Sequence, residues 1–162
     1  MTEKYIMREN SILDGMLHEQ ELDEISLKDG ILTLGFNIFL SKEEYGDSDF
    51  AKKYYEYKKC YIKCKIENEE YCEVYLKSSL NKKFKGIIQY LSLADFVDIA
   101  NKEITKRAEK GLHPWEYLYT YVSPNINSAK IELCLYNMKY KRVDYSMCTL
   151  ELETQEIEYI WE

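Results

Sequence analysis

The sequence lacks the segments that would place it in or across a membrane. No apolar stretch among its 162 residues approaches the ~18 residues of a transmembrane helix. Residues 1–20 contain no basic region followed by an apolar run, so we expect no signal peptide. The five cysteines are an odd set without an evident disulfide framework, which favours a reducing compartment. These features predict a cytoplasmic protein with no membrane partner.

The sequence is also poor in the motifs on which catalytic and metal sites depend. Its two histidines, His18 and His113, are far apart along the chain, and no CxxC pair occurs. Cys60 and Cys64 would lie about 13 Å apart on a strand, too far to share a zinc ion. No GxSxG, phosphate-binding glycine loop or GxGxxG motif stands between a strand and a helix. We expect no metal and no cofactor, while a cysteine paired with one histidine remains an alternative.

Basic residues are missing from the end of the chain. Residues 146–162 hold five acids and no base, and residues 1–30 hold eight acids against three bases. Residues 51–90 reverse this balance with ten lysines against five glutamates, but those lysines are spread along alternating strand positions. Nucleic-acid binding requires clustered cations that neutralise phosphates. With a net charge of −7, the chain is therefore expected to have no nucleic-acid partner.

What the sequence has in excess is tyrosine, sixteen residues against two prolines and six glycines, and tyrosine favours strands. The clearest element is a hairpin in which Asp29-Gly30 forms a two-residue turn, since both central residues must adopt positive φ. This turn fixes the register and predicts that Leu27 pairs with Leu32 on the core side.

A second hairpin is predicted in residues 60–76. Its apolar residues alternate in both halves, and a three-residue loop at residues 67–69 brings them to one face. In this register Cys64 lies opposite Cys72, and Lys63 lies opposite Glu73 on the outer side.

One principal helix is expected near residues 93–109, between Ser92 as N-cap and Gly111 after the end, with Phe96, Ile99 and Ile104 buried. Four more strands follow it, of which the last two are expected near a sheet edge. The fold class is α+β: a large, mostly antiparallel sheet of about eight strands, open or curled, with one helix packed on it. With no repeat or linker, residues 1–162 are expected to form a single domain.

Two surface features are candidates for binding. Tyr117, Tyr119 and Tyr121 share one predicted strand face, which is either sheet core or a ligand surface. The closing strands place four unpaired glutamates outward in a row, as a partner-binding surface or as protection of a sheet edge. These acids are Glu151, Glu153, Glu156 and Glu158.

The stretch LHEQELDEISLKDGILTLGF resembles the opening of small bacterial immunity-type domains of polymorphic toxin systems. Those domains commonly begin with a Leu/Phe-His-Asp-x-x-Ile pattern that runs into a strand, a turn and a second strand. Leu17 and His18 match this pattern, and Glu19 stands where aspartate is usual. Asp29 and Gly30 supply the turn.

The end of the chain, IEYIWE, looks like the aromatic closing strand of the same family, with Tyr159 and Trp161 in the expected places. The resemblance implies that His18 and Glu19 cap the first strand, the ring donating a hydrogen bond near the sheet end. It also implies a non-enzymatic inhibitor that binds a cognate toxin domain. Many such toxin domains are nucleases with basic active sites, which agrees with the acidic ends of this chain.

Three hypotheses remain open from the sequence. The first is an immunity protein that neutralises a toxin by protein–protein binding. The second is a domain with a curled sheet that binds a small molecule or a peptide through its tyrosines. The third is an enzyme that uses a cysteine or a histidine.

Overall fold

The protein is represented by a computed structural model that describes residues 2–7, 16–77, 88–112, 115–123, 127–137 and 144–162. Its strands are β1 (Glu3–Met7), β2 (Glu21–Lys28), β3 (Ile31–Asn37), β4 (Lys59–Ile66), β5 (Glu73–Lys77), β6 (Ile88–Leu91), β7 (Trp115–Ser123), β8 (Ser128–Asn137) and β9 (Asp144–Trp161). Its helices are α1 (Lys42–Tyr45), α2 (Asp49–Tyr54) and α3 (Leu93–Ala108), with a 3₁₀ turn at Glu69–Tyr71. The predicted α+β class with one principal helix is confirmed.

The nine strands form one antiparallel sheet that curls until it meets itself. Their order is β4-β3-β2-β7-β8-β9-β5-β6, and β1 also pairs with β9. Because β4 pairs with β9 as well as with β3, six strands form a closed ring of pairings. The narrowest join is between β2 and β7, where Glu21 lies opposite Glu116 and the N–H of Tyr117 donates to the carbonyl of Gln20 (2.9 Å). Of the two arrangements that the sequence leaves open, an open or a curled sheet, the structure has the curled one.

The first hairpin has the predicted turn and register. Asp29 and Gly30 have φ values of 50° and 71°, so both occupy the left-handed region that a two-residue hairpin turn requires. Leu27 lies opposite Leu32 in the ladder between β2 and β3. Strand β3 ends at Asn37, and its other edge pairs with β4.

The predicted second hairpin is wrong. Strands β4 and β5 do not pair with each other; both pair with β9, one after the other along the same edge. Cys64 therefore lies opposite Ile157 and not Cys72, and Lys63 lies opposite Glu158. The alternation of apolar residues is the same for a hairpin and for two consecutive segments on one long partner. The pairing of β4 with β9 closes the ring of strands. A pattern in neighbouring residues cannot show a partner so distant in sequence.

The two predicted closing strands are also one element, the continuous strand β9. It is not near an edge, because it pairs with β1, β4, β5 and β8. Thr154 lies opposite Ile66 and Ile157 lies opposite Cys64, so three steps along β9 match two along β4. This β-bulge changes which positions face inward, and Leu152 and Ile157 are consequently both buried.

Helix α3 begins and ends as the sequence predicts. The Ser92 side chain accepts a hydrogen bond from the N–H of Asp95 (3.1 Å), and Gly111 has a φ of 60° after the last turn. The helix packs against β2 and β5. Asn101 donates to the carbonyl of Ile25 on β2 (2.9 Å), in the part of β2 that follows its pairing with β7 at Glu21.

The buried face of α3 is rotated slightly from the predicted one. Phe96 is fully buried, and its ring centre lies 6.1 Å from that of Trp115. Ile99 and Ile104 are only half-buried, so their prediction is correct only in part. The residues that α3 buries are Leu93, Phe96, Val97, Ala100 and Arg107.

Candidate functional site

The predicted tyrosine stripe is divided between the core and the surface. A β-bulge between Tyr117 and Tyr119 interrupts the alternation of β7. Tyr117 faces inward and is fully buried, and its hydroxyl donates to Thr120 (2.6 Å). Tyr119 and Tyr121 instead project outward and are exposed. Only these two tyrosines of the stripe can contact a partner.

The outward tyrosines belong to a surface that crosses four strands. Tyr121 lies opposite Lys130 on β8, and Lys130 lies opposite Glu151 on β9. Glu151 in turn lies opposite Glu73 on β5. Side chains at directly opposite positions share a face, so these four side chains form a row on the outside of the sheet.

A second row runs beside the first. It contains Tyr119, Glu132, Thr149, Tyr75 and Tyr90, each opposite the next in the ladder. Tyr75 and Tyr90 contact edge to face, with ring centres 5.1 Å apart. We call the two rows, together with Tyr71 and Glu153, the outer tyrosine–glutamate face.

A groove of about 620 Å³ lies at one end of this face. Two aromatic residues of its wall are exposed, Tyr71 at 70% and Tyr121 at 51%. The groove is lined by Tyr71, Tyr121, Ser123, Ser128, Ala129, Lys130, Glu151, Leu152 and Glu153.

The lysine that lines the groove forms an ion pair with a buried carboxylate. Lys130 Nζ lies 3.1 Å from Glu132 Oε1, and this contact raises the pKa of Lys130. Thr149 donates to the other carboxylate oxygen of Glu132 (2.8 Å). Glu132 is thereby held almost fully buried on an outward position. The positive charge of Lys130 is balanced by Glu132, which leaves Glu151 and Glu153 to set the sign of the groove.

The four predicted partner-binding glutamates do not form one row of unpaired charges. Glu156 and Glu158 line a separate groove of about 270 Å³ that also contains Lys63 and Lys65. Glu158 is paired with Lys4 at 2.8 Å. The bulge in β9 separates these acids from Glu151 and Glu153 and places them among lysines. The expectation of four unpaired carboxylates is thus wrong, and the expectation that they protect a sheet edge does not apply to a strand paired on both sides.

The histidine and acid of the opening motif lie at the surface. Both side chains of His18 and Glu19 are exposed, and His18 Nδ1 is 3.9 Å from Glu19 Oε1, too long for a hydrogen bond. The segment is fixed by its backbone, because the N–H of Glu19 donates to the carbonyl of Tyr117 (2.8 Å). Glu19 also has a φ of 64°, at the turn that leads into β2. His113 lies outside the described residues.

Trp161, the other residue of the family-like motif, is part of the core. It is fully buried and packs edge to face on Tyr54, with ring centres 5.0 Å apart. The ring centre of Tyr57 lies 6.3 Å from that of Trp161. Through Tyr54, helix α2 thus packs on the end of β9.

All five cysteines are buried and free. Burial raises the pKa of every one of these thiols, to about 12 for Cys64 and Cys134. Within the described residues, no group of three or more His, Cys, Asp and Glu side chains is arranged to hold a metal ion.

Sequence reasoning missed Tyr71, Lys130 and Glu132. The predicted hairpin gave no role to Tyr71. An aromatic residue within the acidic run ENEEYCE could still have indicated an exposed binding residue. The pair of Lys130 and Glu132 is separated by two positions on one strand, which is the spacing of side chains that share a face.

Comparisons with known proteins found no matching family model, no matching curated protein and no matching solved structure. In the part of the chain that the structure describes, no helix combines the length and the apolar character needed to cross a membrane.

Proposed function

We propose that this chain is a non-enzymatic immunity-type protein that neutralises a cognate bacterial toxin domain by direct binding in the cytoplasm of the producing cell. The observation that carries the proposal is the outer tyrosine–glutamate face, where exposed aromatic rings lie among carboxylates on a paired sheet. The resemblance of residues 17–36 to immunity-type domains supplies the class of partner.

Exposed tyrosines on a rigid sheet are suited to protein binding. Tyr71, Tyr90 and Tyr121 each expose at least half of their surface. Tyrosine offers a large apolar contact area and a polar end, and it loses little conformational entropy on binding, so it is enriched in the cores of interfaces. Tyr90 lies on β6, Tyr121 lies on β7 and Tyr71 ends the 3₁₀ turn. Both strands are paired within the sheet, which supports binding without rearrangement.

The charge of the face supports a basic partner. Glu73 and Glu151 lie opposite each other, and the hydroxyl of Tyr75 donates its hydrogen to Glu73 while Glu151 lies 3.4 Å from the same oxygen. The hydrogen bond to Glu73 raises the pKa of Tyr75. Complementary charge accelerates the encounter of two proteins, and nuclease toxins present basic surfaces to their substrates.

The state of the thiols supports a non-enzymatic role. Thiolates, not thiols, are the nucleophiles in cysteine catalysis. Cys64 and Cys134 have pKa values raised to about 12, so both are protonated at neutral pH. Their burial also suits a reducing compartment.

The test is a titration of the purified chain with the toxin domain encoded beside its gene. We expect a stoichiometric complex and loss of the toxin's activity. A variant with Glu151, Glu153, Glu156 and Glu158 changed to lysine should keep its circular dichroism spectrum but associate far more slowly at low salt, and the wild-type rate should fall as salt is added. A toxin domain that retains full activity in the presence of excess wild-type chain would contradict the proposed function.

The groove of about 620 Å³ favours one second candidate, the binding of a small molecule or peptide. A thermal shift screen with metabolites distinguishes the two. A ligand that stabilises the wild type, with no effect of the chain on any neighbouring toxin, would favour the second candidate.

A further inference from the structure

The groove between Tyr71 and Tyr121 is a fixed feature of the sheet. Tyr71 ends the 3₁₀ turn, whose N-cap Asn68 accepts a hydrogen bond from the N–H of Glu70 (3.0 Å). This turn is attached to β9, because the N–H of Glu153 donates to the sulfur of Cys72 (3.4 Å). Tyr121 belongs to β7, which is joined to β9 through β8. The two exposed tyrosines therefore line one groove together with Glu151 and Glu153.

The groove carries an excess of negative charge. Glu151 and Glu153 line it, and Glu69 and Glu70 belong to the turn that ends in Tyr71. Lys130, the one cation among the described residues of the lining, is balanced by Glu132 at 3.1 Å. A cation that enters the groove gains attraction without displacing Lys130 from Glu132.

One carboxylate oxygen in the groove lacks a donor. Glu153 Oε2 is shielded from solvent and has no hydrogen-bond partner among the described residues. A buried acceptor without a partner costs free energy. A donor from a bound protein reaches this shielded oxygen once the Glu153 side chain rotates, and the hydrogen bond then removes that cost. Glu153 lines the same groove as the two tyrosines.

We infer that the groove receives an arginine side chain from a basic loop of the bound toxin domain, an inference that rests on the proposed function. The guanidinium fits because it is planar, stacks on aromatic faces and donates several hydrogen bonds in a fixed fork. Its flat faces would contact Tyr71 and Tyr121, and its N–H groups would donate to Glu153 and Glu151. A lysine ammonium lacks the planar surface, and an apolar side chain would leave Glu153 Oε2 unpartnered.

The inference is tested in the complex with three variants and a matched control. Glu153→Gln keeps the shape of the side chain and removes its charge, and Tyr121→Ala removes one ring; each should raise the Kd for the toxin domain by about tenfold. Tyr121→Phe keeps the ring and should bind within about twofold of wild type. Glu43→Gln, an equal charge change on the exposed helix α1, should leave the Kd unchanged. If the toxin binds wild type, Glu153→Gln and Tyr121→Ala equally well, the inference is overturned and the proposed function stands.

A second experiment needs no toxin. The blocked tripeptide acetyl-Gly-Arg-Gly-amide is titrated into the ¹⁵N-labelled chain, and the same peptide with citrulline, the neutral isostere of arginine, is the control. We expect the arginine peptide to shift the amide signals of Tyr121, Lys130 and Glu151, and its Kd to rise severalfold with Glu153→Gln and with added salt. Equal shifts from the arginine and citrulline peptides, or shifts confined to other regions, would overturn the inference. If the peptide binds the groove but the toxin domain encoded beside the gene does not bind the chain, the arginine site is supported and the proposed function is contradicted.

Discussion

The two halves of strand β9 have opposite surroundings. Between Met147 and Glu153 the strand is buried on one face only, and the other face carries the groove between Tyr71 and Tyr121. After the bulge, Glu156 and Glu158 line the smaller groove. Ile160 is buried as well as the inward-facing Tyr159, so the last residues of the strand are covered on both faces. One half of a single strand therefore carries the candidate interface, while the other half ends in the core.

The bulge between Thr154 and Ile157 makes this division possible. Before it, β5 and β8 pair with β9 and leave an outer surface open; after it, β4 and β1 pair with β9 and close the ring. The strand changes its inward positions without ending. The candidate interface is thus continuous, through one strand, with the buried residues Tyr159 and Trp161.

The largest expected effect is on the buried half. Trp161→Ala removes a fully buried ring that packs on Tyr54 and Tyr57, and we expect unfolding in urea to require about 3–5 kcal/mol less than for the wild type. Tyr121→Ala, on β7 in the groove that the exposed half of β9 lines, should cost less than about 1 kcal/mol. Equal losses for the two variants would remove the distinction between core and interface.

Alkaline pH offers a second measure of burial. Because burial raises the pKa of Cys64 from 9.0 to about 12, the folded state retains a proton that the unfolded state loses. The associated stability is fully present below pH 9 and is lost as the pH rises toward 12. Above about pH 9, the wild type should lose about 1.4 kcal/mol per pH unit more than Cys64→Ala, which lacks this thiol. Urea unfolding at several pH values gives the two slopes, and parallel slopes would contradict the burial of Cys64.

Charge reversal sharpens the comparison on the outer surface. Glu151→Lys with Glu153→Lys should slow association with the toxin domain by about tenfold at low salt, because these acids lie in the groove. Glu156→Lys with Glu158→Lys should slow it only about twofold, since Lys63 and the ion pair with Lys4 already offset their charge. Stopped-flow mixing of each double variant measures the rates. The reverse ranking would move the interface to the second half of β9.

Local patterns were sufficient wherever one element determined its own structure. The Asp29-Gly30 turn set the hairpin register, and Ser92 with Gly111 bounded α3. In each case the deciding interaction is formed by neighbours in sequence: two positive φ values in a turn, or a side chain that caps a nearby N–H.

Patterns failed where the partner was distant in sequence. The alternation in residues 60–76 is satisfied equally by a hairpin and by pairing with β9, and only the closed ring decides between them. The sequence shows that the apolar alternation changes phase between Thr154 and Ile157. This predicted two strands, because a bulge within one strand and a loop between two strands give the same sequence signal. The groove could not be predicted either. Tyr71 and Tyr121 line one groove only when β4 and β5 both pair with a single continuous β9.

The smallest expected effect concerns how β1 is held against the buried half. Lys4 and Glu158 form an ion pair at 2.8 Å, but the Lys4 side chain is 63% exposed, so solvent and salt screen the attraction. The attachment of β1 depends chiefly on its ladder with β9, in which Lys4 lies opposite Ile160. Lys4→Met should therefore lower the free energy of unfolding by about 0.5 kcal/mol or less, and high salt should abolish the difference. A double-mutant cycle with Glu158→Gln isolates the pair. A coupling energy well above about 1 kcal/mol that persists in high salt would mean that charge, and not the backbone ladder, holds β1 in place.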